Sequence, residues 1–192
     1  MRNVISFLIF SFFLSLGLPA SADENDILPP HLPGIISLEN LTFETINGLD
    51  VYFNSESDES VEAKNRFSII LPQIYSALDF DNISECRRTN LRIFFIRDET
   101  LNNREIMNFL RWDSWENRDI WGAYNKTTHR IDQEIFISLD ASGDHVNFVA
   151  AHEFYHRFQD ITCQNLKGPS VESDAVEFTR TFCEENNVCV AS

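Results

Sequence analysis

Apolar positions along the chain change period several times, and each change marks an element. Leu41-Thr42-Phe43-Glu44-Thr45-Ile46 and Leu49-Asp50-Val51-Tyr52-Phe53 alternate with period two on either side of Asn47-Gly48. That pair readily supplies the positive φ angles of a tight turn, so a β-hairpin is predicted. Over residues 57–78 the spacing of Val61, Phe67, Ile70, Leu71, Ile74 and Leu78 is helical. Residues 91–96 (LRIFFI) read as a strand and residues 100–110 as a second helix. Residues 121–124 and 131–139, joined through the polar Asn125-Lys126-Thr127-Thr128, read as two antiparallel strands. A helix is expected to begin near Gly143 and run past His156. A last one should cover about residues 171–185, with Val171, Ala175, Phe178 and Phe182 on one stripe. The mixture of strands and helices without an internal repeat is that of an α+β protein.

The first 22 residues have a different character. Arg2 precedes an apolar run over residues 4–18, and Pro19-Ala20-Ser21-Ala22 follows before the acidic Asp23-Glu24. This is the layout of a secretory signal peptide cleaved after Ala22, and the run is shorter than the roughly 20 apolar residues of a bilayer span. Residues 23–192 are then expected to form a single exported domain, secreted to the extracellular space or the periplasm. With 43% apolar residues and 17 Phe, the chain has ample material for a core. Lys and Arg number 15 against 30 Asp and Glu, a net charge of −15 that repels phosphate backbones and anionic lipid surfaces. Neither a nucleic-acid partner nor, once the leader is removed, a membrane is expected. Export also sets the reading of Cys86, Cys163, Cys183 and Cys189, which lack a C-x-x-C pair and are expected to form two disulfides. A Cys183–Cys189 bridge would tie down the C-terminal tail and leave Cys86 for Cys163. Asn40, Asn82 and Asn125 head N-x-[ST] sequons, which matter only in a eukaryotic host.

The chemistry concentrates in Val149-Ala150-Ala151-His152-Glu153-Phe154-Tyr155-His156-Arg157-Phe158-Gln159. Two His four apart on a helix share a face and can reach one metal ion, while Glu153 stands close enough to take a proton from a water held there. At 100° per residue Val149, His152, Glu153 and His156 share a side, and Val146, Ala150, Ala151, Phe154, Phe158 and Ile161 cover most of the rest. A helix buried nearly all round needs a partner for that polar side, and a divalent cation provides one. Zinc in catalytic sites takes three protein ligands. Glu172 and Asp174 flank the apolar stripe of the last helix on opposite edges, and helix geometry does not decide between them.

The segments His152–Gln159 and Glu172-Ser173-Asp174-Ala175-Val176-Glu177-Phe178 resemble the gluzincin branch of zinc metallopeptidases. There H-E-x-x-H-x-x-Q is followed by a helix bearing E-G-x-A-E-[YF]. The resemblance covers about the last third of the chain. It implies a zincin-like fold: a small mixed sheet, an active-site helix carrying H-E-x-x-H, and a following helix carrying the third ligand. It also implies one zinc ion held by His152, His156 and Glu172, with Glu153 as general base in the hydrolysis of a peptide or protein substrate. The E-x-x-A step from Glu172 to Ala175, and the longer reach of Glu, favour Glu172 over Asp174. Tyr124, Tyr155, His129 and Arg180 are available as further oxyanion donors, though Arg180 falls on the polar side of its helix and Tyr155 points away from the metal face. The competing function is a non-catalytic, zinc-stabilised binding or inhibitory domain on the same fold, against which the intact Glu153 argues. Oligomeric state, substrate preference and the choice between endo- and exopeptidase are not encoded in these motifs.

Overall fold

Strands form where β-branched and aromatic residues run together, and their burial tells which are central. β1 (Thr42–Ile46) is almost wholly exposed, whereas β2 (Leu49–Phe53) and β3 (Asn90–Ile96) are buried along nearly their whole length. The computed structural model describes residues 41–83, 90–101, 121–125, 132–139, 145–163 and 170–189. All of these belong to the unit Pro33–Ser192. The expected signal peptide, Cys86, His129 and residues 102–110 of the predicted second helix lie outside the described residues.

With β4 (Gly122–Asn125) and β5 (Asp132–Ser138), the strands make one five-stranded sheet in the order β1-β2-β3-β5-β4. The outer pairs, β1 with β2 and β4 with β5, are antiparallel; the inner pairs, β2 with β3 and β3 with β5, are parallel. The sheet is therefore mixed, and its three central strands are buried on both faces, as parallel strands usually are. The Asn47-Gly48 turn takes positive φ at both residues, as the hairpin reading required.

Among the described residues three long helices accompany the sheet. α1 (Asp58–Ala77) starts where the Ser57 side chain accepts from the Ser60 amide, and Asp58 and Glu59 favour the positive end of its dipole. A single turn, α2 (Asp98–Leu101), follows β3. α3 (His145–Ile161) begins within two residues of its predicted start and runs past His156, and α4 (Ser170–Asn186) lies within one residue of its predicted limits. One face of the sheet, with Val51, Phe53, Ile93, Phe95, Ile135 and Ile137, packs with Phe67, Ile70, Leu71 and Ile74 of α1 and Val146, Val149, Ala150 and Phe154 of α3. On the opposite face an aromatic ladder runs from Tyr52 to Phe94 to Phe136, with ring centroids 4.7 and 5.3 Å apart.

Cys183 and Cys189 form the expected bridge. The Val188 carbonyl accepts from Asn147 Nδ2 at 2.6 Å, so the tail is held against the start of α3 as well. Cys163 is disulfide-bonded too. A disulfide is consistent with an extracellular location. No helix among the described residues is long and apolar enough to cross a membrane.

Candidate metal centre

α3 is held on both flanks, which fixes where its polar side can point. Phe154 is fully buried against Phe67, Tyr75 and Phe80, and Tyr155 stacks on Phe178 of α4 at 4.8 Å. The fully buried Ala175 presents little bulk to the facing helix. Further along, Asp160 Oδ2 accepts from the Gln133 amide of β5 at 2.7 Å and from the Tyr124 hydroxyl of β4 at 3.0 Å. α3 is thus tied to two strands at one end and to α4 on its side.

Between these restraints three side chains converge. His152 Nε2 and His156 Nε2 lie 3.1 Å apart, and Glu172 brings one carboxylate oxygen to 3.3 Å from the first and the other to 3.4 Å from the second. Among the described residues this is the group of ligand-type side chains placed to hold a metal ion. A tetrahedral ion with bonds of about 2.0–2.1 Å keeps its ligand atoms about 3.3 Å apart. The separation of the two ring nitrogens and the distance from each ring to its own Glu172 oxygen are of that size, and one ligand atom from each of the three residues lies within 4.8 Å of the others. Two imidazole nitrogens and a carboxylate oxygen are also a donor set that divalent transition metals accept. The residues fit the group. Asp174, the other candidate for third ligand, is half-buried and stands outside the cluster.

The groups of the cluster act on one another even without an ion. The imidazoles of His152 and His156 hydrogen-bond Glu172 and hold its carboxyl well below the usual carboxylate range, although partial burial opposes them. Burial by itself would lower the pKa of His156, but its hydrogen bond to Glu172, the charges of Glu153 and Glu172, and its hydrogen bond to Gln159 together raise it to about 9. Glu172 also occupies the first turn of α4, where the helix dipole favours a negative charge.

Glu153 differs from its neighbours in being buried, at 6% exposure. Desolvation raises its pKa and the Glu172 charge adds to this; the two histidines and the backbone N–H of Tyr124 pull the other way. That N–H comes from β4, which approaches α3 closely at Gly122. A Cβ at residue 122 would overlap Val149 Cγ1 and stand 2.7 Å from Glu153 Oε1. Only glycine lets the strand lie there. A glycine inside a strand pattern is a sequence signal of close backbone approach, and it was available in Trp121-Gly122-Ala123.

Of the four possible oxyanion donors, the Tyr124 hydroxyl is engaged with Asp160, Tyr155 is stacked on Phe178, Arg180 is exposed, and His129 lies outside the described residues. The site also includes the glutamine at the end of the motif, to which the sequence assigned no role, and a backbone carbonyl outside it. Gln159 Oε1 lies 3.1 Å from His156 Nδ1, and its Nε2 lies 3.3 Å from the Val171 carbonyl. His152 Nδ1 has no such partner among the described residues. No protein family, no curated protein and no solved structure matches this chain.

Proposed function

We propose that the chain is an exported zinc peptidase of the gluzincin type, with His152, His156 and Glu172 as zinc ligands and Glu153 as the proton carrier. The observation that supports this most directly is the convergence of two ring nitrogens 3.1 Å apart with the Glu172 carboxylate, which sets one oxygen 3.3 Å from the first and the other 3.4 Å from the second, beside a buried carboxylate one residue after His152. Zinc bound there would supply a Lewis acid able to acidify a water and polarise a carbonyl. The protein's own groups do the rest. Glu153, held above the usual carboxylate range by burial, accepts a proton from the attacking water and returns it to the leaving amine. The Tyr124 N–H fixes where its carboxylate stands.

β4 suits a peptide substrate. Among the described residues it is an outermost strand of the sheet. Ser138 N–H donates to the Trp121 carbonyl, so Trp121 and Ala123 face β5 and the backbone groups of Gly122 and Tyr124 face outward. The outward N–H of Tyr124 meets Glu153, which sets Gly122 as the backbone beside which an extended peptide would lie.

The test is metal content and cleavage measured together. Purified protein should carry one zinc, lose it to a chelator and regain it, and should cut members of an unbiased peptide library only when loaded. Glu172→Ala should weaken zinc binding strongly, while Asp174→Ala should leave it intact. A protein that takes up no zinc refutes the metal centre. Stoichiometric zinc without cleavage of any peptide would make this a zinc-stabilised binding domain instead.

A further inference from the structure

We infer that Gln159 is a positioning residue that selects the metal-binding tautomer of His156, and that the Val171 carbonyl sets Gln159 in turn. The inference rests on the metal centre proposed above and concerns how this chain prepares one ligand.

The chain of donors and acceptors has a single solution. A backbone carbonyl accepts and never donates, so the Gln159 atom facing Val171 at 3.3 Å is the amide nitrogen. The amide oxygen is then the atom 3.1 Å from His156 Nδ1. An amide oxygen only accepts, so Nδ1 carries a proton. In a neutral imidazole the lone pair then lies on Nε2, which is the atom that faces His152 and Glu172. Gln159 is 4% exposed, so water is poorly placed to substitute for it. Val171 immediately precedes Glu172, and the same amide therefore links the orientation of the second histidine to the first turn of the helix carrying the carboxylate.

His152 has no equivalent support at its Nδ1 among the described residues, so the ring that Gln159 holds should dominate preorganisation of the site. Partners of this kind typically carry a tenfold to hundredfold share of metal affinity.

The experiment compares wild type, Gln159→Leu and Gln159→Glu by competitive zinc titration, with the ring nitrogens of His156 assigned by ¹H–¹⁵N correlation in the zinc-loaded proteins. Leu fills a similar space without an acceptor; Glu keeps an acceptor for Nδ1–H. The wild type should coordinate through Nε2 and show a slowly exchanging Nδ1 proton. Gln159→Leu should bind zinc about 10- to 100-fold more weakly and exchange that proton faster, whereas Gln159→Glu, which keeps the acceptor for Nδ1–H but loses the donor to the Val171 carbonyl, should recover part of the affinity and a slower proton than Leu. A packing role alone predicts the opposite ranking. Leu binding zinc as tightly as wild type, Glu failing as badly as Leu, or coordination through Nδ1 would each overturn the inference. Absence of zinc binding in the wild type would instead remove the metal centre on which it stands.

Discussion

Gly122 and Glu153 show how narrow the tolerances of the site are. The strand touches the helix where a methyl group would sit 2.7 Å from the Glu153 carboxylate, so Gly122→Ala must push β4 away from α3. We expect a loss of about 1–3 kcal/mol in stability, read from denaturant unfolding, because overpacking at a close contact forces backbone shifts. Wild-type stability in that variant would mean that the strand has room to spare. Glu153→Gln tests chemistry rather than packing: the amide is nearly isosteric but cannot act as a base. It should keep zinc and fold while peptide hydrolysis drops by about two to four orders of magnitude. Unchanged turnover would remove Glu153 from the proton path. Asn125 marks a third residue-level lesson, since its sequon is nominally a glycan acceptor. Its side chain is buried and donates to Glu134 at 2.7 Å, so in the folded protein it is not presented to solvent.

At the scale of elements, β3 and β5 carry the main departure from what the residue pattern conveys. Asp132-Gln133-Glu134 looks like the polar start of a surface strand, and Arg92 looks like an outward residue between apolar ones. Both strands are in fact buried on each face, with Arg92 at 3% and Glu134 at 0% exposure, joined by a bond of 2.6 Å between Arg92 Nη2 and Glu134 Oε1. Period and turn chemistry are local, so the hairpin at Asn47-Gly48, the cap at Ser57 and the His152/Glu153/His156 face could be read directly from the residues. Which strands become neighbours is not local. The parallel pairing of β2, β3 and β5 brings Arg92 to Glu134, and Gln133 of β5 to Asp160 of α3; nothing in the spacing of those residues announces it. Helix geometry left Glu172 as one of two options and only the E-x-x-A resemblance and the longer reach of Glu favoured it, because the meeting of α3 and α4 decides which edge of the stripe faces the histidines. The buried pair gives a prediction of its own. Glu134→Ala takes from Arg92 and Asn125 a shared acceptor and should cost about 3–5 kcal/mol, while the double change of Arg92→Met with Glu134→Leu should cost much less. Equal losses in the two proteins, measured by equilibrium unfolding, would show that the pair contributes net attraction beyond mutual neutralisation.

For the molecule as a whole, the proposed metal centre would couple stability to pH through groups that exchange a proton for an ion. In the metal-free chain His156 has a pKa raised from 6.5 to about 9. A base raised on folding adds stability that is fully present below the unfolded value and is lost as pH climbs through the folded one. The metal-free protein should therefore weaken between about pH 6.5 and 9. Glu172, held low, acts in the other direction and only in acid: its contribution is present above the ordinary carboxylate value of 4.5 and fades as pH falls below it. Glu153, raised by burial, adds a loss of stability of its own that sets in as pH rises past the ordinary carboxylate value of 4.5, since ionising a buried carboxyl disfavours the fold. Zinc competes with the His156 proton for the same lone pair, so loading at pH 7.5 should release about one proton per chain from that residue. The gap between the unfolding temperatures of zinc-loaded and chelated protein should then widen steadily from pH 6.5 to 9. Two measurements check this together: thermal unfolding of both forms across that range, and titration calorimetry of zinc uptake in buffers of different ionisation enthalpy. Parallel pH profiles for the two forms, with an uptake heat independent of buffer, would show that the ion and the proton do not share His156.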